Sequence, residues 1–162
     1  MSSQVLSEQE TRFGPVVETW IKFLRAHAAV TRELSARLEA QHGLTLNDYD
    51  VLVQLCFAEG QRLRRVDLAR SVLLTASGIT RLLDGLERAG WVEKARCESD
   101  ARVTYAVLTK AGLAKFEEAR CSHVGDIEEV FASRFSQEEI ATMGDLLGQL
   151  PLADAACGVP DE

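Results

Sequence analysis

The 162-residue sequence predicts a mostly α-helical fold with one small β element (α+β), and three neighbouring stretches carry that prediction. The first is Thr75 to Gly90, TASGITRLLDGLERAG. Wound as a helix, it puts Ile79, Leu82, Leu83, Leu86 and Ala89 on one face. Ser77, Thr80, Arg81, Asp84 and Arg88 then fall on the other. Thr75 can cap its start through its hydroxyl, and Gly90 suits the left-handed residue past its end. The second stretch is Arg65 to Ser71, a short helix joined to the first through Val72-Leu73-Leu74. Two helices so joined, by about three or four residues, form a helix-turn-helix. The third is a pair of strands, Trp91 to Arg96 and Val103 to Leu108, alternating in side-chain direction around a connection from Cys97 to Arg102. Helix, turn, helix and arginine-tipped hairpin together make a winged helix-turn-helix, assigned to residues 44–110.

The flanking elements follow in order. Residues 1–14 read as an N-terminal arm. A helix then runs from Pro15, well placed for a first turn, to His42, with Gly43 ending it, so that 15–43 is one scaffold element. At 1.5 Å per residue it is about 42 Å long, more than a winged helix can cover by itself. Thr45 caps the next helix, with Asp48 in the reciprocal position; Tyr49, Val51, Leu52, Leu55 and Cys56 face inward. Gln61 to Arg64 is a minimal strand able to pair with the wing. Thr109 caps a helix carrying Leu113, Phe116, Val124, Ile127 and Phe131 to about Arg134. Ser136-Gln137-Glu138-Glu139 is a capping box opening a last helix through about Leu150, where Pro151 stops it. Residues 111–150 are thus a second helical segment, and 151–162 a disordered tail. Apolar helices at both ends of the chain (15–43 and 111–150) predict dimerisation helices that pack together and against a second copy.

Charge is distributed unevenly. The chain carries −7 overall, yet residues 61–110 hold ten Lys/Arg against six Asp/Glu, a net of +4. The basic charge therefore sits on the predicted winged helix, as a polyanion-binding face requires. The polar face of 75–90 offers small hydroxyls and arginines. These let a helix approach base edges closely and let Arg grip guanine or phosphate. Thr75, Ser77, Thr80, Arg81 and the wing's Arg102 are the candidate DNA-binding residues. No phosphate-binding glycine loop, GxSxG, HExxH or Rossmann fingerprint occurs, so an enzyme is not expected. Neither a metal site nor a cofactor is expected: Cys56, Cys97, Cys121 and Cys157 show no paired spacing. With no signal peptide and no long apolar run, the expected location is the cytoplasm. Two alternatives remain: a winged-helix protein-interaction module, or a thiol-sensing regulator acting through Cys97.

The sequence resembles the MarR family of bacterial transcriptional regulators over roughly residues 15–150. The most specific likeness is Asp100-Ala101-Arg102 with Leu108-Thr109, similar to the family's wing pattern DxRxxxxxLT. Thr75 to Glu87 resembles its recognition helix, and Leu44-Thr45 with Tyr49-Asp50-Val51-Leu52 resembles the start of its second helix. The resemblance implies a nucleoid-associated homodimer, usually a repressor, on an inverted-repeat operator of double-stranded DNA. It implies major-groove and phosphate contacts from Ser77, Thr80 and Arg81, and a minor-groove contact from Arg102. Asp100 is expected to orient the wing by pairing with a nearby arginine. It further implies release by a small aromatic or phenolic acid, for which Trp20, Phe23, His27, Tyr49 and Asp50 are the candidate effector-binding residues.

Overall fold

The structure is a computed structural model that describes residues 13–72, 78–97, 100 and 102–151. Six α-helices and three short strands occur among them: α1 Pro15–His42, α2 Leu46–Phe57, β1 Arg62–Arg64, α3 Arg65–Ser71, α4 Ile79–Arg88, β2 Val92–Arg96, β3 Thr104–Leu108, α5 Lys110–Ala132 and α6 Gln137–Leu147. A single 3-10 turn, Glu59–Gln61, leads from α2 into β1.

Local punctuation explains most of these boundaries. Pro15 opens α1, and Gly43 closes it in the left-handed region with its N–H on the Glu39 carbonyl. Both expected capping boxes form. Thr45 Oγ1 accepts the Asp48 N–H while the Asp48 carboxylate accepts the Thr45 N–H. Ser136 and Glu139 do the same for α6. Each satisfies two backbone donors that a helix start otherwise leaves unpaired.

The three strands form one antiparallel sheet in the order β1-β3-β2, with Leu63 and Lys94 both opposite Ala106. One sheet face, the C-terminal part of α1 and the inner faces of α2, α3, α4 and α5 share a core of Leu38, Leu44, Val51, Leu52, Leu55, Leu68, Leu83, Leu86, Val92, Ala106, Leu108 and Phe116. The N-terminal half of α1 lies outside that core. Val16, Trp20, Phe23 and Leu24 there are exposed, as are Leu146, Leu147 and Leu150 at the far end of the chain. α6 contains no buried residue.

Ion pairs join α1 to α5. Arg37 contacts Glu33 at 2.7 Å on its own helix, and Asp126 at 3.0 Å and Glu129 at 2.9 Å across the interface. His42 bridges Glu118 and Ser122.

Three expectations need correction. The helix expected from Thr75 begins at Ile79, after Gly78, whose φ of +84° belongs to the left-handed region that glycine alone enters freely. Between α3 and α4 only Val72 and Gly78 are described; residues 73–77, among them Thr75 and Ser77, lie outside the described residues. The last helix ends at Leu147, three residues short of Leu150, because the chain turns at Gly148 and not at Pro151. Cys56, expected in the core, is only half-buried.

Candidate nucleic-acid interface

The amphipathic reading of α4 is realised in the packing. Leu83 and Leu86 are fully buried, and Ile79 and Leu82 pack against the same core. Thr80, Arg81 and Arg88 stand on the exposed side. Ala89, expected on the apolar face, is exposed because the helix has already ended at Arg88.

The end itself is a Schellman motif. Gly90 takes φ +78°; its N–H binds the Glu87 carbonyl, and the Trp91 N–H binds the Leu86 carbonyl. This reversal sends the chain straight into β2. Thr109 then closes the junction. Its Oγ1 donates to the Gly90 carbonyl at 2.7 Å and accepts the Gly112 N–H at 3.0 Å, while its own N–H binds the Trp91 carbonyl at 3.1 Å. One hydroxyl thus caps α5 and ties it to the end of α4.

The wing is oriented from two sides. Lys94 on β2 reaches α4, contacting Asp84 at 3.0 Å and Glu87 at 2.7 Å. Bonding to those carboxylates raises the Lys94 pKa. The hydrogen bond from Lys94 is the main cause that lowers the Asp84 carboxyl pKa. Asp84 is therefore engaged by Lys94, and Arg88 bonds instead to the Asp84 backbone carbonyl at 3.2 Å.

At the wing tip, Asp100 Oδ1 accepts the backbone N–H of Arg102 at 3.0 Å, and the Asp100 carbonyl accepts the Val103 N–H. Its contact with the Arg102 guanidinium is a loose 3.9 Å. Asp100 therefore shapes the turn chiefly through the backbone. The Arg102 side chain is left 95% exposed.

Sequence reasoning overlooked other cations on this face. Arg64, Arg65 and Arg70 line a cleft between α3 and the wing, together with Arg102. Their only sequence signal was the basic bias of residues 61–110.

The five candidate effector residues fall into two groups. Trp20, Phe23 and His27 stack along exposed α1, with ring centroids 6.0 Å and 6.5 Å apart. Tyr49 instead meets α5, its ring 5.7 Å from Phe116 and 4.7 Å from His123. Burial is the main cause that raises the Tyr49 hydroxyl pKa. Asp50 is buried and accepts from Gln54 at 3.3 Å. Among the described residues no ring contact joins the two groups within the chain. His123 was missed as a partner of Tyr49. It is buried, its Nδ1 has no hydrogen-bond partner among the described residues, and burial lowers its pKa.

Among the described residues no helix is long and apolar enough to cross a membrane, and no group of three or more His, Cys, Asp or Glu is placed to hold a metal.

An exposed hydroxyl-and-arginine helix face held beside an arginine-tipped wing defines a DNA-binding winged helix-turn-helix regulator. Residues 42–103 match the family model described as MarR family. The chain is 32% identical over 114 residues to the HTH-type transcriptional repressor YetL of Bacillus subtilis, covering 68% of each sequence. Among solved structures it is similar to AbsC, a MarR family transcriptional regulator from Streptomyces coelicolor, at 32% identity and a TM-score of 0.71, covering 80% of this chain and 86% of that one. It is also similar to Sco3205, a MarR family regulator of the same organism crystallised in complex with DNA, at 26% identity and a TM-score of 0.73, covering 80% and 81%. The chain belongs to the MarR family: it is a helix-turn-helix transcriptional regulator and not an enzyme.

Proposed function

We propose that this regulator acts as a homodimer on an inverted-repeat operator, as a repressor, and is released by a small aromatic or phenolic acid. The observation that carries the DNA-binding part is the pairing of Arg81 and Thr80, exposed on α4, with the outstretched Arg102 of the wing. Ser77, and Thr75 before it, belong to the same reading by their position just ahead of α4. Residues 44–110 read DNA. Elements 15–43 and 111–150 dimerise: the apolar side chains of α1 and α6 that the single chain leaves in water support this. A two-fold dimer sets two copies of α4 about one helical turn, ~34 Å, apart on successive major grooves. A relative crystallised with DNA and another named a repressor support the same reading.

For the effector, Tyr49 and Asp50 offer an aromatic edge and a buried carboxylate on α2. Trp20, Phe23 and His27 offer an aromatic strip on α1. In a dimer, ligand at either group favours a half-site spacing that no longer fits DNA, a population shift.

The test is titration against a duplex selected by the protein from a random-sequence pool, at several salt concentrations, with mass measured by sedimentation. Tight binding of one dimer per inverted repeat, with log affinity falling steeply against log salt, supports the reading. Arg81→Ala and Arg102→Ala should each cost about 1–3 kcal/mol of binding. If both variants bind as the parent does, the DNA-reading face is misassigned.

A further inference from the structure

A cleft of about 510 Å³ opens between α3 and the foot of the wing. Arg64, Arg65, Asp67 and Arg70 wall one side, and Arg102 and Thr104 the other. Its charge is one-sided, four guanidiniums against one carboxylate. Asp67 is already held by Arg64 at 2.6 Å, so that pair is self-contained. Arg65 and Arg70 make no ion pair among the described residues, and Arg102 has only the 3.9 Å approach of Asp100. Arg65 also lies within electrostatic reach of Asp84 on α4, which puts this wall beside the reading helix. Like charges gathered this way repel unless an anion sits among them. Guanidinium forks match phosphate oxygens in particular.

The geometry of a duplex indicates which phosphate. Adjacent grooves are separated by one sugar–phosphate strand. On the DNA-binding reading α4 lies in a major groove and Arg102 in the adjoining minor groove, and this cleft, walled by Arg102 and by the Arg65 that approaches Asp84 of α4, lies between them. We propose that Arg65 and Arg70 clamp a backbone phosphate of the strand between the two grooves. The proposal rests on the DNA-binding reading above. In it the clamp sets the register of α4 and carries no sequence information of its own.

The experiment compares Arg70→Gln and the double variant Arg65→Gln/Arg70→Gln with the parent. Each is titrated at several salt concentrations against the pool-selected duplex and against a duplex of unrelated sequence. Arg25→Gln, an exposed arginine on α1, controls for net charge, and circular dichroism controls for folding. Arg70→Gln should bind both duplexes about tenfold more weakly, the size of one lost charge-assisted hydrogen bond, and the double variant more weakly still. For Arg70→Gln the salt slope should fall by about one, and in neither variant should the preference for the selected duplex change. Arg65→Lys/Arg70→Lys should keep the slope and lose part of the affinity, because charge remains and the fork does not.

Three results overturn the proposal. In the first, parental affinity and slope persist in the double variant while Arg81→Ala and Arg102→Ala weaken binding; the cleft then does not touch DNA, and the DNA-reading face stands. In the second, the double variant loses preference for the selected duplex, which makes the cleft a sequence reader. In the third, Arg81→Ala and Arg102→Ala are also without effect, and the DNA-reading face fails together with the clamp.

Discussion

Among the described glycines, Gly112 is the one at which an added methyl group meets the closest obstacle. It is the third residue of α5 and is buried where that helix crosses the start of β2. A Cβ built there overlaps the carbonyl oxygen of Trp91 and lies 2.8 Å from Leu108 Cδ1 and 2.9 Å from the Trp91 carbonyl carbon. The obstacle is backbone, and that backbone is pinned, since the same oxygen accepts the Thr109 N–H. Gly112→Ala gains about 0.5–1 kcal/mol of helix preference. Against this stand an overpacking cost of about 1–3 kcal/mol and about 1 kcal/mol for the Thr109–Trp91 hydrogen bond if α5 is pushed away. The clash wins, leaving a net loss of about 1–3 kcal/mol. For a chain of this size that lowers Tm by roughly 3–10 °C. Gly85→Ala is the matched control: it is helical, with nothing within 4 Å of its added Cβ, and should stabilise by about 0.5–1 kcal/mol. Thermal unfolding followed by circular dichroism at one fixed protein concentration reads both. If Gly112→Ala melts at or above the parent, as Gly85→Ala should, the close approach of α5 to the wing is wrong.

Two further outcomes test the scaffold. Thr45→Ala removes one half of the α2 capping box and should cost about 1 kcal/mol, seen as a lower urea midpoint with an unchanged slope. His123 is held neutral by burial, its pKa below the ordinary value, with Asp126 opposing that shift and His42 adding to it. The unfolded chain then binds the extra proton first, so stability present above pH ~6.5 is lost as pH falls below it. His123→Leu should flatten the urea midpoint between pH 7.5 and 5.5; an undiminished decline would place its origin elsewhere.

The elements legible in the sequence are those punctuated locally. Pro15, Gly43, Thr45-Asp48, Thr109 and Ser136-Glu139 each act within one helical turn, and their helices start, or at Gly43 end, where those residues predict. The start of α4 was not legible, because helical periodicity continues through Ser77 while the left-handed backbone at Gly78 breaks it. Lys94 bonding Asp84, ten residues away, leaves no periodic trace. Neither does the meeting of Tyr49 with His123 from a distant helix, or the gathering of Arg65 and Arg70 against the wing. Aromatic residues of α1 and α2 could be identified individually as candidates, but which of them share a site is decided by packing. In this chain packing sends Tyr49 to α5 and leaves Trp20 in water.

On the proposed reading, in which α5 dimerises and α4 meets DNA, the junction at Thr109 couples the two. A flexible linker between them would let α4 adjust to any operator spacing, whatever α5 did. Here there is no slack. The Thr109 hydroxyl caps α5 and holds the carbonyl of Gly90, the left-handed residue just past the end of α4. Gly112 brings α5 against the backbone of Trp91, the very next residue. Both contacts are to main chain, which cannot yield by changing a rotamer. A tilt of α5 must therefore be met either by the core beneath α4 or by α4 itself, and that core is closely packed around Leu83, Leu86 and Leu108. The cheaper response is for the helix-turn-helix and wing to move as one body with α5. In the proposed dimer, rearrangement of the α5 helices is thereby converted into a change in the separation of the two winged helices.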